Sequence, residues 1–300
     1  YFAEIPVTII NVQRGGPSTG MPTRTQQADI LSCAYASHGD TKHVLLFPED
    51  PHECFEHAAV ALDLTDRLQT PVCVMTDRDI GMNQRLGEPF EWDDARAYDR
   101  GKVMTAEELE AGRDFGRYKD VDGDGIPWRT LPGTHPTKGS YFTRGTTRNP
   151  YAQYSERGPD YIYNVERLLK KFATAATLVP QPVVRAARQK TPLGVIYFGS
   201  TSPAMAEALD ALAGDGVHID AMRLRAFPFP ASVRAFIDAH ERVFVVEQNR
   251  DGQMHSLLVN ELDVSPAQLV RVRHFDGTPI TARFITQSIM SHVQAKETAQ

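Results

Sequence analysis

Cysteine is scarce in this chain: three residues in 300, Cys33, Cys54 and Cys73, far apart and with no CxxC pair. That spacing argues against a disulfide framework, a structural zinc, or a cysteine-ligated iron–sulfur cluster held within this chain. The three read as small buried hydrophobes. Long apolar runs are also missing, since no window approaches about 18 uninterrupted apolar residues, so membrane spanning is not expected. An excess of positive charge is absent too. The net charge of −6 argues against nucleic acid or an anionic membrane as the main partner. The opening Tyr1-Phe2-Ala3-Glu4-Ile5-Pro6 lacks a Met and the basic and apolar regions of a signal peptide. This points to a cytoplasmic protein cut from a longer chain. What is present suffices for one large domain or two ordinary ones: 41% apolar and 23% charged residues.

Two alternating strand–helix blocks flank an irregular middle. In the first, Pro6 to Val12 reads as a buried strand, Thr25 to Ser37 as helical, and His43 to Phe47 as a strand. Pro51 to Leu68 is an amphipathic helix, and Pro71 to Met75 closes as another buried strand. From Gly81 to Gln181 the pattern weakens into Gly, Pro, Arg, Asp and Tyr, with helices at Thr105–Gly112 and Tyr161–Thr177. So long an irregular stretch is usually functional or an interface. Regularity returns at Thr191. Strands at Gly194–Phe198, His218–Leu224, from Arg242 and at Gln268–His274 alternate with helices from Ser202, Ala231, Gln253 and Thr281. Short apolar strands alternating with helices predict parallel sheets with helices on their faces, in portions 1–182 and 183–300. Three strands are few for the first block, so its beginning is expected to be missing.

The first block carries the loop Arg14-Gly15-Gly16-Pro17-Ser18-Thr19-Gly20. Gly15 to Gly20 matches the opening of a P-loop, but Met21 and Pro22 stand where Lys and Ser/Thr must be. The glycine spacing does not fit GxGxxG either. Yet the loop sits at the carboxyl end of a strand, where open α/β sheets bind ligands. Gly15 and Gly16 permit close backbone approach, and Arg14 offers a fork suited to a carboxylate. Thr23-Arg24-Thr25-Gln26 equally fits a capping box that merely starts the next helix. On the residues alone, a small-anion site and a structural turn stay open.

Asp120, Asp122 and Asp124 with Gly125 resemble the first half of a calcium loop, but its twelfth position is Leu131 rather than Glu. They are a metal candidate against an Asp/Gly turn held by nearby arginines. His52 and His57 are five apart, not the four that align two metal ligands on a helix.

The run VQRGGPSTGMPTRTQQAD (Val12–Asp29) resembles the α subunit of the thiamine-diphosphate-dependent 2-oxoacid:ferredoxin oxidoreductases. KDVDGDGIPWRTLPGTHP, YFTRGT, FGST, MRLRAFPFP and VFVVEQN resemble, in the same order, segments of the 2-oxoglutarate branch. The resemblance covers nearly the whole chain. It implies the latter part of a pyrimidine-binding domain followed by a transketolase C-terminal-like domain. It assigns Arg14 to the substrate's carboxylate, places Thr23 close to the 2-oxoacid, and has Gly15, Gly16, Ser18 and Thr19 shape the pocket.

The implied reaction is oxidative decarboxylation of a 2-oxoacid to an acyl-coenzyme A, with electrons passed to ferredoxin. Thiamine diphosphate and Mg²⁺ would be held mainly by a β subunit that also carries the iron–sulfur cluster, in a hetero-oligomer. The cofactor-contacting Glu and the YPxTP-type segment of the family would lie upstream of Tyr1, so no catalytic residue is expected here and no activity from this portion alone. Where many relatives carry an acidic, His-containing run, this chain has Thr147-Arg148-Asn149. Arg223 and Arg225 could contact the coenzyme A diphosphate or a partner subunit, or form a solvated or salt-bridged pair. Glu247-Gln248-Asn249 reads as a hydrogen-bonded brace between domains. Pyruvate or another 2-oxoacid as substrate, and a non-catalytic assembly module, stay open as alternatives.

Overall fold

A computed structural model describes residues 1–297, with side chains described through 294. Strand β1 (Val7–Gln13) leads into helix α1 (Ile30–Ala34), then β2 (Val44–Leu46), α2 (Pro51–Leu68), β3 (Pro71–Asp77) and α3 (Arg78–Met82). The middle holds α4 (Ala106–Glu110) and α5 (Gly158–Ala175). The rest runs β4 (Val183–Arg185), β5 (Leu193–Phe198), α6 (Ser202–Gly214), β6 (Asp220–Leu224), β7 (Ala226–Phe227), α7 (Ala231–Asp238), β8 (Arg242–Glu247), α8 (Gln253–Leu262), β9 (Leu269–Arg273) and α9 (Ala282–Glu297).

One sheet has the order β1-β3-β2-β7 and the other β4-β6-β5-β8-β9. Both are parallel apart from β7 and β4, which pair antiparallel to β2 and β6. These two short strands are not legible as strands in the sequence. β7, from the second portion, completes the first portion's sheet, so backbone pairing crosses the 182/183 boundary.

Alternation explains the layers. On β2, Leu45 faces a core shared with Phe198, Phe227, Val245 and Leu257, between the two sheets. Val44 and Leu46 face the other way, against Leu64, Leu68 and Val179. A third core packs Met205, Leu212 and Ile285 under the outer face of the second sheet. Each such fully buried side chain contributes about 1.5–3 kcal/mol.

Helix α2 starts and stops where its residues say it should. The Asp50 side chain accepts from Glu53 N at 2.7 Å, Pro51 takes the first turn, and Gln69 caps in a left-handed conformation. β1 corrects an expectation. Val7, Ile9, Ile10 and Val12 are 44–66% exposed, because β1 pairs only with β3, at the sheet edge. The helix expected from Thr25 begins only at Ile30, with no regular structure over residues 25–29.

Candidate functional site

β1 and β3 are parallel neighbours in register, Gln13 opposite Asp77, so both chains leave the sheet side by side at its carboxyl edge. Beyond β1 the loop folds back on itself. Gly15 N donates to Arg24 O (3.1 Å), and Met21 N donates to Gly15 O (2.8 Å). A Cβ at Gly20 (φ +39°) would lie 2.3 Å from Gly15 O. One at Gly15 would lie 2.9 Å from Met21 Cβ. These two glycines therefore serve the loop's own closure. The capping-box reading fails because no helix starts there; instead the Gln26 side chain accepts from Gly16 N at 3.0 Å.

The next residues tie this loop to the second sheet. Gln27 Nε2 donates to Phe198 O (3.1 Å), Gln27 Oε1 accepts from Gln248 N (3.0 Å), and Asn249 Nδ2 donates to Gln27 O (2.9 Å). Gln248 continues through Ser200 Oγ (2.9 Å) to Asp77 Oδ2 (2.5 Å). The brace expected at Gln248-Asn249 is thus in place, and it joins the carboxyl edges of both sheets. Burial pushes the Asp77 carboxyl up, against the bonds from Ser200 and Ile80 N that favour its charge. Burial likewise raises Glu247, although Met254 N, Asn249 and His255 N donate to it at the start of α8.

Between the glycine loop and the β8–α8 turn lies a cavity of about 740 Å³. Arg14, Gly16, Ser18 and Arg78 line one side, and Asn249 and Arg250 the other. Of the expected substrate residues, Arg14, Gly16 and Ser18 thus reach the cavity; Gly15, Thr19 and Thr23 lie outside its lining. Acids nearby are already engaged. Asp29 accepts from Asn11 Nδ2 (3.1 Å), and Asp251 pairs with Arg250 (2.7 Å). The Arg14 side chain has no hydrogen bond or ion pair among the described residues. Arg78, directly after β3, escaped the sequence reading because that strand was expected to stop at Met75. It runs on to Asp77.

The other candidates resolve differently. Lys102 Nζ lies 2.7 Å from Asp122 and 2.8 Å from Asp124, and Lys170 Nζ lies 3.4 Å from Asp120. Lysines pair with the three carboxylates, and Arg167 Nη1 holds the end of the turn by donating to Gly125 O at 2.9 Å. Among the described residues no three His, Cys, Asp or Glu side chains converge on a metal position, including Asp120, Asp122 and Asp124. Arg223 and Arg225 both bind Glu53, at 2.6 and 2.7 Å, so of their three readings the salt-bridged pair is the observed one. His57 is buried beside Glu53, 3.8 Å away. No helix among the described residues is long and apolar enough to cross a membrane.

Residues 1–174 match the family described as pyruvate flavodoxin/ferredoxin oxidoreductase, thiamine diphosphate-binding. The chain belongs to that family. It is 29% identical over 284 residues to 2-oxoacid:ferredoxin oxidoreductase 2, subunit alpha, of Aeropyrum pernix, covering 93% of this chain and 42% of that one. It is 30% identical over 259 residues to 2-oxoglutarate synthase subunit KorA of Methanothermobacter thermautotrophicus, covering 84% of this chain and 65% of the relative. The chain thus spans less than two thirds of the length of these relatives. Its fold matches a solved 2-oxoglutarate:ferredoxin oxidoreductase from Magnetococcus marinus, with 2-oxoglutarate, coenzyme A and succinyl-CoA bound. That match has a TM-score of 0.84 at 23% identity and covers 97% of this chain and 49% of the other.

Proposed function

We propose that this chain is the α-subunit portion of an assembly that oxidatively decarboxylates a 2-oxoacid, with 2-oxoglutarate as substrate, coenzyme A as acyl acceptor and ferredoxin as electron acceptor. The names of the relatives support the reaction class, and the KorA similarity supports the substrate. The observation that carries the reading is Arg14: a guanidinium at the carboxyl edge of a parallel sheet, lining a cavity and left without an acid. In this role it clamps the carboxylate beside the keto group through two parallel hydrogen bonds. The glycine loop, closed on itself and braced to Gln248 and Asn249, holds that arginine against a rigid wall.

Among the described residues no three His, Cys, Asp or Glu side chains converge as metal ligands. We assign the diphosphate–metal site and the iron–sulfur cluster to a β subunit. This chain's share is orientation of the substrate. The test is turnover by the complete complex carrying Arg14→Ala. A large loss of kcat/KM for 2-oxoglutarate is expected, and unchanged KM and kcat would overturn the assignment.

A further inference from the structure

The cavity holds a second arginine whose position follows from strand pairing. Because Gln13 and Asp77 are partners, Arg14 and Arg78 are the first residues beyond the ends of two adjacent parallel strands, whose backbones lie about 4.8 Å apart. Both side chains line the same 740 Å³ space. Two like charges at neighbouring strand ends repel unless an anion joins them. No side chain of the described residues does so. Asp29 is held by Asn11 and Asp251 by Arg250, while Asp79 pairs with Arg85 at 3.6 Å. Asp77 is buried, with its two oxygens taken by Ile80 N and Ser200.

Arg78 is also held in place. Its Nε donates to Pro22 O at 3.1 Å, which ties it to the loop that carries Arg14. Neither of its terminal nitrogens has a partner among the described residues. A planar fork with its inner edge fixed and its outer edge free is suited to accept a carboxylate.

We propose that Arg14 and Arg78 together take one ligand with two carboxylates: Arg14 the carboxylate beside the keto group, Arg78 the distal one. Arg78 is then the residue on this chain that favours a five-carbon 2-oxodicarboxylate over a 2-oxomonocarboxylate. The carboxyl carbons of such a skeleton lie about 5 Å apart when extended, which suits anchors on adjacent strands. This inference rests on the reading of Arg14 given above.

The test is steady-state turnover by the complete complex with 2-oxoglutarate and with 2-oxobutyrate, in the wild type and in Arg78→Gln, Arg78→Lys and Arg14→Gln. Arg78→Gln should lower kcat/KM for 2-oxoglutarate by about 10- to 100-fold more than for 2-oxobutyrate, mostly through KM. Arg78→Lys, which keeps the charge and is the variant to use if the Gln form does not assemble, should lose less than Arg78→Gln, with the same bias against 2-oxoglutarate. Arg14→Gln should lower both substrates together. Equal losses for both substrates with either Arg78 variant, or no loss, overturn the inference. So does a rise confined to the KM for coenzyme A, which would make Arg78 a diphosphate contact. If Arg14→Gln leaves both substrates unchanged while Arg78→Gln keeps its bias, the reading of Arg14 fails and the distal contact stands.

Discussion

Two arginine-rich regions of this molecule have opposite fates. At Glu4, which is 1% exposed, three cations converge on one carboxylate. Arg167 Nη1 and Lys171 Nζ reach Oε1 at 2.9 and 2.7 Å, and Arg148 Nη2 lies 3.4 Å from Oε2. Arg148 also stacks on Tyr118 and Phe2, at 3.9 and 4.2 Å to the ring centroids. Burial alone would push Glu4 up, but Lys171 and Arg167 outweigh it and hold the carboxyl far below the usual range. At the cavity, by contrast, Arg14 and Arg78 pair with no acid among the described residues, although Asp29 and Asp251 also line it. The residue type is the same in both places; what differs is whether the fold delivers a carboxylate. Where it does, the arginine locks the irregular middle and α5 to the segment that leads into β1. Where it does not, the charge is left for a ligand.

The largest expected effect tests the first half of that contrast. Glu4→Gln leaves three buried cations without their acid and should cost about 3–5 kcal/mol in urea unfolding, as breaking one partner of a buried pair does. A loss under about 1 kcal/mol would break the comparison. Arg14→Gln should do the reverse. It should cost about 2–3 kcal/mol in transition-state binding, a 30- to 150-fold drop in kcat/KM of the complete complex. Its unfolding midpoint should stay within about 0.5 kcal/mol of wild type, because an unpaired surface arginine supports nothing.

Acid sharpens the contrast further, in two windows. Burial, with Arg225 and Arg223 nearby, pushes His57 down to about 4 although Glu53 pulls the other way. The unfolded chain therefore takes up a proton between its ordinary 6.5 and about 4 that the folded chain refuses. Stability should fall as pH drops through that window, by on the order of 2 kcal/mol from this group. His57→Phe should reduce that slope in pH-dependent urea melts, and His43 and His255, which burial also pushes down, should keep the remainder. Glu4 acts below that window. Its carboxyl is depressed, so its contribution is present above the ordinary value near 4.5 and is lost as pH falls further. Glu4→Gln should reduce the lower slope, with Glu53 keeping part of it, and leave the upper one.

The smallest effect lies at the aspartate turn. Asp122→Asn removes a half-exposed pair with Lys102 and should cost under about 1 kcal/mol. Millimolar Ca²⁺ should leave the melting temperature of the wild type unchanged, since lysines already engage the three carboxylates. A calcium-dependent rise would show that the cation displaces Lys102.

Local rules carried the element map a long way. α2 was legible to the residue because its cap, first-turn proline and apolar spacing lie within its own span. β5, β6 and β8 were legible as apolar runs between turns. β4 and β7 were not, because strands of three and two residues take their identity from the partner that pairs with them. β1 reads as buried by composition, and only its place at the sheet edge exposes it. Thr23-Arg24-Thr25-Gln26 looked like a cap, but the Gln26 amide was claimed by Gly16 N first.

Within the site the division is the same. The sequence by itself determined the parallel α/β architecture, the glycine loop at a strand's carboxyl end and an arginine at its mouth. Each follows from periodicity and from backbone freedom over a few neighbouring residues. The tertiary structure alone decided which charges are free. Arg223 and Arg225 met Glu53 from a helix 170 residues away, Arg148 and Arg167 met Glu4, and Arg14 and Arg78 met no acid among the described residues. Whether an arginine is structural or available depends on the acid that the fold brings within reach, and no local pattern records that distance.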